Sequence, residues 1–339
     1  MRRKTVARPA ESVSDALDRA AEVLEAADEI ALACHVNPDA DAMGSMLGLA
    51  CFLARRGKRV AAAWPNGLDG APRWVSALPG REHVVAPGDM PKEPPVFVAL
   101  DTADINRLDG LAHLVKRAGT VIVVDHHVTN TGFGTIDLID PNAAATAQLV
   151  YALIHRMGGE LDADTAACLY AGLLTDTGRF QFSNTTPDVL RIAARLREED
   201  FDHVALGQAL YEDSSVGYLR LLGMVLERAT HVPAADLVWT YVTKRDLEAA
   251  GIGIEETDDL IDLVRTAREA DVAAVLKEQR DGGFKVSLRS RGSTDVASVA
   301  GSFGGGGHRL AAGYSSKAPL EETVEALLDA LSAGRAPSA

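Results

Sequence analysis

The sequence predicts an α/β protein: a doubly wound, mainly parallel sheet in the N-terminal part and a smaller α/β domain after it, joined by a helical linker. Three observations lead there. Short apolar runs stop abruptly at polar residues three times, at Cys34-His35, Leu100-Asp101 and Val124-Asp125. Amphipathic stretches at helical spacing separate and follow these runs, as crossover helices do in a parallel sheet. Beyond residue 237 the pattern changes to strand, helix and hairpin.

Taken in order, Val13, Leu17, Ala21 and Leu24 recur at helical spacing and mark a helix over residues 12–27. Residues 30–34, 96–100 and 121–124 are apolar at consecutive positions. Strands of that kind belong to a sheet covered on both faces, where ligands collect beyond the strands' carboxyl ends. An apolar helix follows the first strand; others are expected at about 145–158 and 162–175, and 187–228 is amphipathic without strand signals. A strand at 237–242 and a helix near 255–268 precede two runs, 272–279 and 284–289, around Asp281-Gly282-Gly283. Asp and Gly accept the positive φ of a tight turn, so this pair is expected as a hairpin. A glycine-rich turn at 304–307 and a helix near 319–332 complete the chain. The expected domains are residues 1–207 and 231–335, with a helical linker at 208–230.

A chain of 339 residues, 47% hydrophobic and 24% charged, can build two separate cores, which makes disorder an unsuitable default. The basic start Met1-Arg2-Arg3-Lys4 runs into Pro9 and Glu11 without the apolar segment of a secretory signal; it and the tail from Arg335 to Ala339 are expected to fray. No run approaches the roughly 18 apolar residues of a membrane span. A soluble, cytoplasmic protein is expected. Cys34, Cys51 and Cys168 sit singly in apolar segments with no CxxC spacing, which points to buried thiols rather than disulfides or zinc. The formal charge of −14 excludes coating of a long nucleic-acid duplex through the overall field, because that requires cations to replace phosphate counterions. A small phosphorylated ligand bound at a local cationic site fits better.

The polar residues at the strand ends carry the chemistry. His35, Asp39 and Asp41 leave the first strand within seven residues; Asp101 ends the second, and Asp125-His126-His127 ends the third. An Asp-x-Asp before a helix could be simple capping. A fold that gathers these ends, however, concentrates carboxylates and imidazoles that cannot stay charged and dry without cations. Oxygen and imidazole donors suit Mn²⁺ first, and also Mg²⁺ or Fe²⁺, rather than a thiolate zinc site. Two such ions roughly 3.5–4 Å apart activate water and stabilise the phosphoryl oxygens in an in-line displacement. Four aspartates would balance two dications.

The ordered set His35-x-x-x-Asp39-x-Asp41, Asp101, Asp125-His126-His127 and Thr175-Asp176-Thr177-Gly178 resembles the DHH phosphoesterase superfamily. Gly304-Gly305-Gly306-Gly307-His308 with Arg309 to Gly313 resembles its DHHA1 domain, and the two-domain size resembles the nanoRNase branch. That branch comprises oligoribonucleases that also act as phosphatases on adenosine 3′,5′-bisphosphate. The resemblance implies that His35, Asp39 and Asp101 hold one ion and that Asp41, Asp101, His126 and Asp176 hold the other, with Asp101 bridging. Asp125 then orients an imidazole, and His127 binds the phosphoryl group or delivers a proton.

In the second domain, consecutive glycines and their N–H groups can form an anion nest. His308 and the hairpin-end Arg289-Ser290-Arg291 add donors. A plain glycine linker is the alternative. Arg179 and Asn184-Thr185-Thr186 follow the Asp176 motif, but Asn184-Thr185-Thr186-Pro187 is also an ordinary helix start. The expected substrates are short RNA, linear dinucleotides such as pApA or pGpG, adenosine 3′,5′-bisphosphate and cyclic di-AMP, selected for shortness by a cleft between the domains; the resemblance also implies a homodimer. An inorganic pyrophosphatase and a non-catalytic nucleotide sensor are the competing readings. The glycine turn weighs against the first, and the complete ligand set against the second.

Overall fold

The computed structural model describes residues 12–68 and 71–333. The two ends expected to fray lie outside the described residues. Contacts divide the chain into two compact units, Met1–Asp213 and Ser214–Ala339.

In the first unit, helix α1 (Val13–Ala26) leads into strand β1 (Glu29–Cys34), followed by α2 (Ala40–Arg55) and β2 (Arg59–Ala63). Strands β3 (Val96–Leu100), β4 (Thr120–Asp125) and β5 (Ile136–Ile139) follow, and then helices α3 (Thr146–Arg156), α4 (Ala163–Asp176), α5 (Pro187–Leu196) and α6 (His203–Tyr211). The five strands are parallel in the order β2-β1-β3-β4-β5. Leu24, Met46, Phe52, Val150, Leu153 and Leu169 belong to the core that covers one sheet face. On the other face Ala33, Phe97, Ala99 and Val123 pack with Leu108, Leu111 and Leu114. Burial on both faces explains why these strands are apolar at consecutive positions. The direction of chain winding reverses between β1 and β3, so the crevice of the sheet opens at their carboxyl ends.

Helices α2 and α4 pack closely because small residues line the contact. A Cβ on Gly44 would strike the Cys168 carbonyl, and one on Gly48 would press on Cys168 Cβ at 3.2 Å. Gly44→Ala is therefore expected to destabilise the first unit by about 1–3 kcal/mol through overpacking, measurable as a lower urea midpoint. An unchanged midpoint would mean that the two helices separate without cost.

The second unit holds α7 (Val216–Glu227), β6 (Thr230–Val232), β7 (Leu237–Val242), α8 (Lys244–Ala250), α9 (Leu260–Val264), β8 (Val272–Glu278) and β9 (Phe284–Ser290). It ends with α10 (Val296–Ser302), β10 (Gly306–His308), β11 (Ala311–Ser316) and α11 (Leu320–Ala333). Its sheet order is β10-β11-β9-β8-β7-β6, antiparallel except for the parallel β7–β8 pair. The expected hairpin is β8–β9, with Gly282 at φ 88° in its turn.

Two expectations change in detail. The helix expected near 255–268 is a short 3-10 turn, Ile254–Thr257, followed by the single-turn α9. The neighbouring acids Glu255, Glu256, Asp258, Asp259 and Asp262 repel one another and shorten it. The segment expected as a linker is divided: α6 lies in the first unit, whereas Tyr218, Leu221 and Val225 of α7 join a core of the second with Leu260 and Val275.

Candidate metal centre

The strand order makes β1, β3 and β4 neighbours, and their polar ends meet. His35 follows β1, Asp101 follows β3, and Asp125 is the last residue of β4, with His126 and His127 just beyond. Asp39 caps α2, its Oδ1 accepting from the N–H groups of Asp41 at 3.1 Å and Ala42 at 3.0 Å. Asp176 is the last residue of α4. Three groups of potential donor atoms, each within 4.8 Å of one another, result: His35, Asp39 and Asp101; Asp41, His126 and Asp176; and Asp101, His126 and His127.

Asp101 stands at the junction. Its Oδ2 lies 3.4 Å from His35 Nε2, and its Oδ1 lies 3.7 Å from His126 Nε2 and 3.6 Å from His127 Nδ1. Its backbone is left-handed, φ 53°, which turns the chain sharply at the end of β3. Non-glycine residues take that conformation at a cost and cluster at functional sites. His126 Nε2 also reaches Asp176 Oδ2 at 3.2 Å and Asp41 Oδ2 at 3.9 Å.

Supporting groups hold these side chains. Asp41 is fully buried and accepts from the N–H groups of Thr146 and Ala147, at 2.6 and 2.9 Å, so it caps the start of α3 from a different helix. A Cβ on Gly172 would press on Asp41 Oδ1 at 2.5 Å, so glycine lets α4 pass close to that carboxylate. Thr146 Oγ1 donates to Asp101 Oδ1 at 2.8 Å. Asp125 is buried, its Oδ1 2.8 Å from His127 Nδ1, and its Oδ2 accepts from Asn130 Nδ2 at 2.6 Å. His35 Nδ1 lies 2.9 Å from the Val36 carbonyl and 3.0 Å from Arg107 Nη2.

Thr146, Asn130 and Arg107 escape sequence reasoning. Each is an ordinary polar residue in a helix start or loop, and only folding brings it to a site residue. Asn130, five residues beyond Asp125, had the nearest thing to a local signal.

The electrostatics match a site built for cations. Among the described residues no Lys or Arg nitrogen lies within ion-pair distance of Asp39, Asp41, Asp101 or Asp176; imidazoles alone pair with them. Burial, then the charges of Asp176 and Asp101, push the Asp41 carboxyl well above its ordinary value. Burial likewise raises Asp176, with Asp39 and Asp101 adding to it against the His126 hydrogen bond. For Asp101, burial is outweighed by its hydrogen bond to His35 and by the imidazoles, which hold it below the usual range. Burial opposes a charge on His126, yet the Asp176 hydrogen bond and the charges of Asp41, Asp176 and Asp101 raise it to about 10. The His127 pKa is raised by its hydrogen bond to Asp125, against burial. Excess buried carboxylate, relieved here only by protons, is the condition that two dications would satisfy, and oxygen and nitrogen donors fit them.

A pH dependence follows. Because the metal-free His126 keeps its proton up to about pH 10, a cation that takes Nε2 must displace it. Metal affinity is expected to rise with pH, about tenfold per unit for each proton released. Titration calorimetry in buffers of different ionisation enthalpy should show at least one proton released at pH 7; zero release would contradict the assignment of His126.

The second unit places the remaining candidates differently. The glycine turn expected over 304–307 is shorter: Gly304 and Gly305 are exposed and lead into β10, whose first two residues are Gly306 and Gly307, with Gly304 at φ 75° and Gly307 at φ 143°. His308 ends that strand. Ser290 is buried, and its hydroxyl donates to Asp271 Oδ2 at 3.1 Å and accepts from the Gly292 N–H at 3.0 Å. Arg289 Nε pairs with Asp262 at 3.3 Å, and Arg291 Nη1 donates to the Ala267 carbonyl at 3.0 Å. These three side chains are engaged inside the unit.

Comparison with known proteins agrees with the geometry. Residues 29–173 match the DHH family, N-terminal domain, and residues 247–333 match the DHHA1 domain. A bifunctional oligoribonuclease and PAP phosphatase, NrnA of Thermus thermophilus, is 40% identical over 315 residues, 92% of each chain. Its Bacillus subtilis namesake is 28% identical over 294 residues, 85% of this chain and 89% of its own. The crystal structure of an exopolyphosphatase-related protein from Bacteroides fragilis superposes with a TM-score of 0.87 at 27% identity, covering 94% of this chain and 96% of that one. With both segments matched, and a 40% identical relative along nearly its whole length, the chain belongs to the DHH phosphoesterase family with a C-terminal DHHA1 domain.

Proposed function

We propose that the chain is a metal-dependent phosphoesterase that hydrolyses short oligoribonucleotides and linear dinucleotides of the pApA or pGpG type, together with the phosphate ester of adenosine 3′,5′-bisphosphate. The observation that carries this reading is the set of three donor groups linked through Asp101 and His126, at the carboxyl ends of adjacent parallel strands. The 40% identical bifunctional relative supports the substrate class. His35, Asp39 and Asp101 would hold one cation; Asp41, Asp101, His126 and Asp176 would hold the other. Manganese is proposed, with magnesium or iron as substitutes. When bound, the pair supplies Lewis acidity to a phosphoryl group and makes water a competent nucleophile at neutral pH.

The chain's own groups supply orientation and a proton. The hydrogen bond to Asp125 raises the His127 pKa and so favours the protonated imidazole, with Nδ1–H directed at Asp125. Nε2–H is then available to the ester: as water oxygen bonds to phosphorus and the ester P–O bond breaks, that proton passes to the leaving oxygen. Asp125 fixes the ring, itself held by Asn130. In the second unit we assign anion binding to Gly304, Gly305, Gly306, Gly307 and His308, with Arg289, Ser290 and Arg291 as the neighbouring hairpin end. The proposal also includes a homodimer through the first unit and a cytoplasmic location. Among the described residues no helix is long and apolar enough to cross a membrane.

The test is incubation of metal-stripped protein with Mn²⁺ and adenosine 3′,5′-bisphosphate, pApA, cyclic di-AMP, pyrophosphate, and RNAs of about five and about thirty residues, with products followed by chromatography. Faster turnover of the bisphosphate and short linear species is expected, consistent with a compact anion site on an acidic chain. Equal degradation of the long RNA, or rapid turnover of pyrophosphate alone, overturns the reading.

A further inference from the structure

Directly after Asp176 the backbone takes an uncommon path. Gly178, Arg179 and Phe180 are three consecutive left-handed residues, at φ 55°, 61° and 64°. Glycine adopts this readily; two non-glycine residues in succession do so only where the surroundings impose it. Here they do. The Arg179 N–H donates to the Leu174 carbonyl at 2.8 Å, and those of Gln181 and Phe182 donate to the Thr177 carbonyl at 3.0 Å. The fully buried Thr177 hydroxyl donates to Leu173 at 2.6 Å and accepts from the Phe180 N–H at 3.1 Å.

The strained turn delivers one side chain. The Arg179 guanidinium lies over the ring of Tyr211, its carbon 3.8 Å from the ring centroid, and forms no ion pair among the described residues. A guanidinium stacked by its face keeps N–H groups along its edge for a second partner. Tyr211 is placed to serve both sides of this arrangement: its hydroxyl lies 3.5 Å from the Leu174 carbonyl in α4, and its phenol experiences the charges of both Arg179 and Asp176. The same loop folds back through Asn184, whose Nδ2 donates to the Asp176 carbonyl at 3.0 Å. Two buried atoms there, Asn184 Oδ1 and Thr185 Oγ1, have no hydrogen-bond partner, so the loop has polar capacity in reserve beside the ligand.

We propose that Arg179, aimed by the Gly178–Phe180 turn and braced on Tyr211, binds a phosphate group of the nucleotide next to Asp176. It would supply a fixed cation beside Asp176, in a cluster whose other guanidinium, Arg107, is held at His35 Nδ1. The guanidinium edge suits two phosphate oxygens, which a lysine ammonium would meet as a point charge only. The proposal rests on the phosphoesterase reading above for its substrate class, but it is testable separately.

The experiment compares the full chain with Arg179→Met and Arg179→Lys in Mn²⁺. It measures kcat and KM for adenosine 3′,5′-bisphosphate, binding of AMP and inorganic phosphate by calorimetry, bound manganese by elemental analysis, and the melting temperature. For Arg179→Met a KM and AMP dissociation constant higher by about 10- to 100-fold are expected, the scale of a lost charged hydrogen bond, with a smaller rise for Arg179→Lys and manganese content unchanged. Unaltered KM and AMP affinity overturn the proposal. So does a lower melting temperature with lost manganese and unaltered affinity, because that marks a structural brace alone. If the unsubstituted chain hydrolyses no nucleotide, the phosphoesterase reading fails, while the AMP and phosphate titrations still decide the role of Arg179.

Discussion

Asp101→Ala is expected to abolish hydrolysis and paired metal occupancy together. One carboxylate faces His35 through Oδ2, and both His126 and His127 through Oδ1, so its removal takes a donor from two of the three groups at once and from beside His126, which the third group shares. Asp39 and Asp176, which belong to different donor groups, would be left to hold cations separately. Loss of several kcal/mol of charge stabilisation corresponds to a fall in turnover of roughly 10³-fold or more. Elemental analysis should show fewer than two metal equivalents per chain. Asp101→Asn is the control, since asparagine also tolerates φ 53° while lacking the charge. Near-normal occupancy in both variants would move the bridge to another residue.

His127→Ala should separate binding from chemistry. Its Nδ1 is committed to Asp125, and its assigned role is proton delivery, so manganese content should stay at two equivalents while kcat falls by roughly 10²- to 10⁴-fold. The sign of the pH effect is fixed by the same hydrogen bond. A raised pKa means that the imidazole remains protonated above its ordinary 6.5 and loses the proton only as pH rises through the folded value. Activity that needs the proton should therefore decline on the alkaline side. Asp125→Asn, which removes the main cause of the shift, should bring that decline to lower pH. A pH profile unmoved by Asp125→Asn, or loss of a metal equivalent in His127→Ala, would exclude this division of labour.

The ligand candidates were legible because each sits where an apolar run ends, and a run that stops at Asp or His announces a strand end with chemistry attached. Asp176 was harder: an aspartate at a helix end is common, and its order among the other motifs singled it out. The residues that position the ligands were not legible. Thr146 begins a helix and Asn130 lies in a loop, and neither differs from its sequence neighbours until the sheet forms. The directions of Arg289, Ser290 and Arg291 were not legible either. They have the composition of an anion site, yet their side chains turn to Asp262, Asp271 and the Ala267 carbonyl, because strand alternation and local acids set their direction.

The sequence by itself determined three of the parallel sheet's five strands, β1, β3 and β4, together with the β8–β9 hairpin and the donor types, since each is written in side-chain patterns spanning a few residues. Tertiary structure alone decided that β1 and β4 flank β3, that α7 packs in the second unit's core, and that Asp41 caps α3 across 105 residues of chain. The physical reason is range: apolar periodicity records which face of an element is buried, but it carries no label for the partner that buries it.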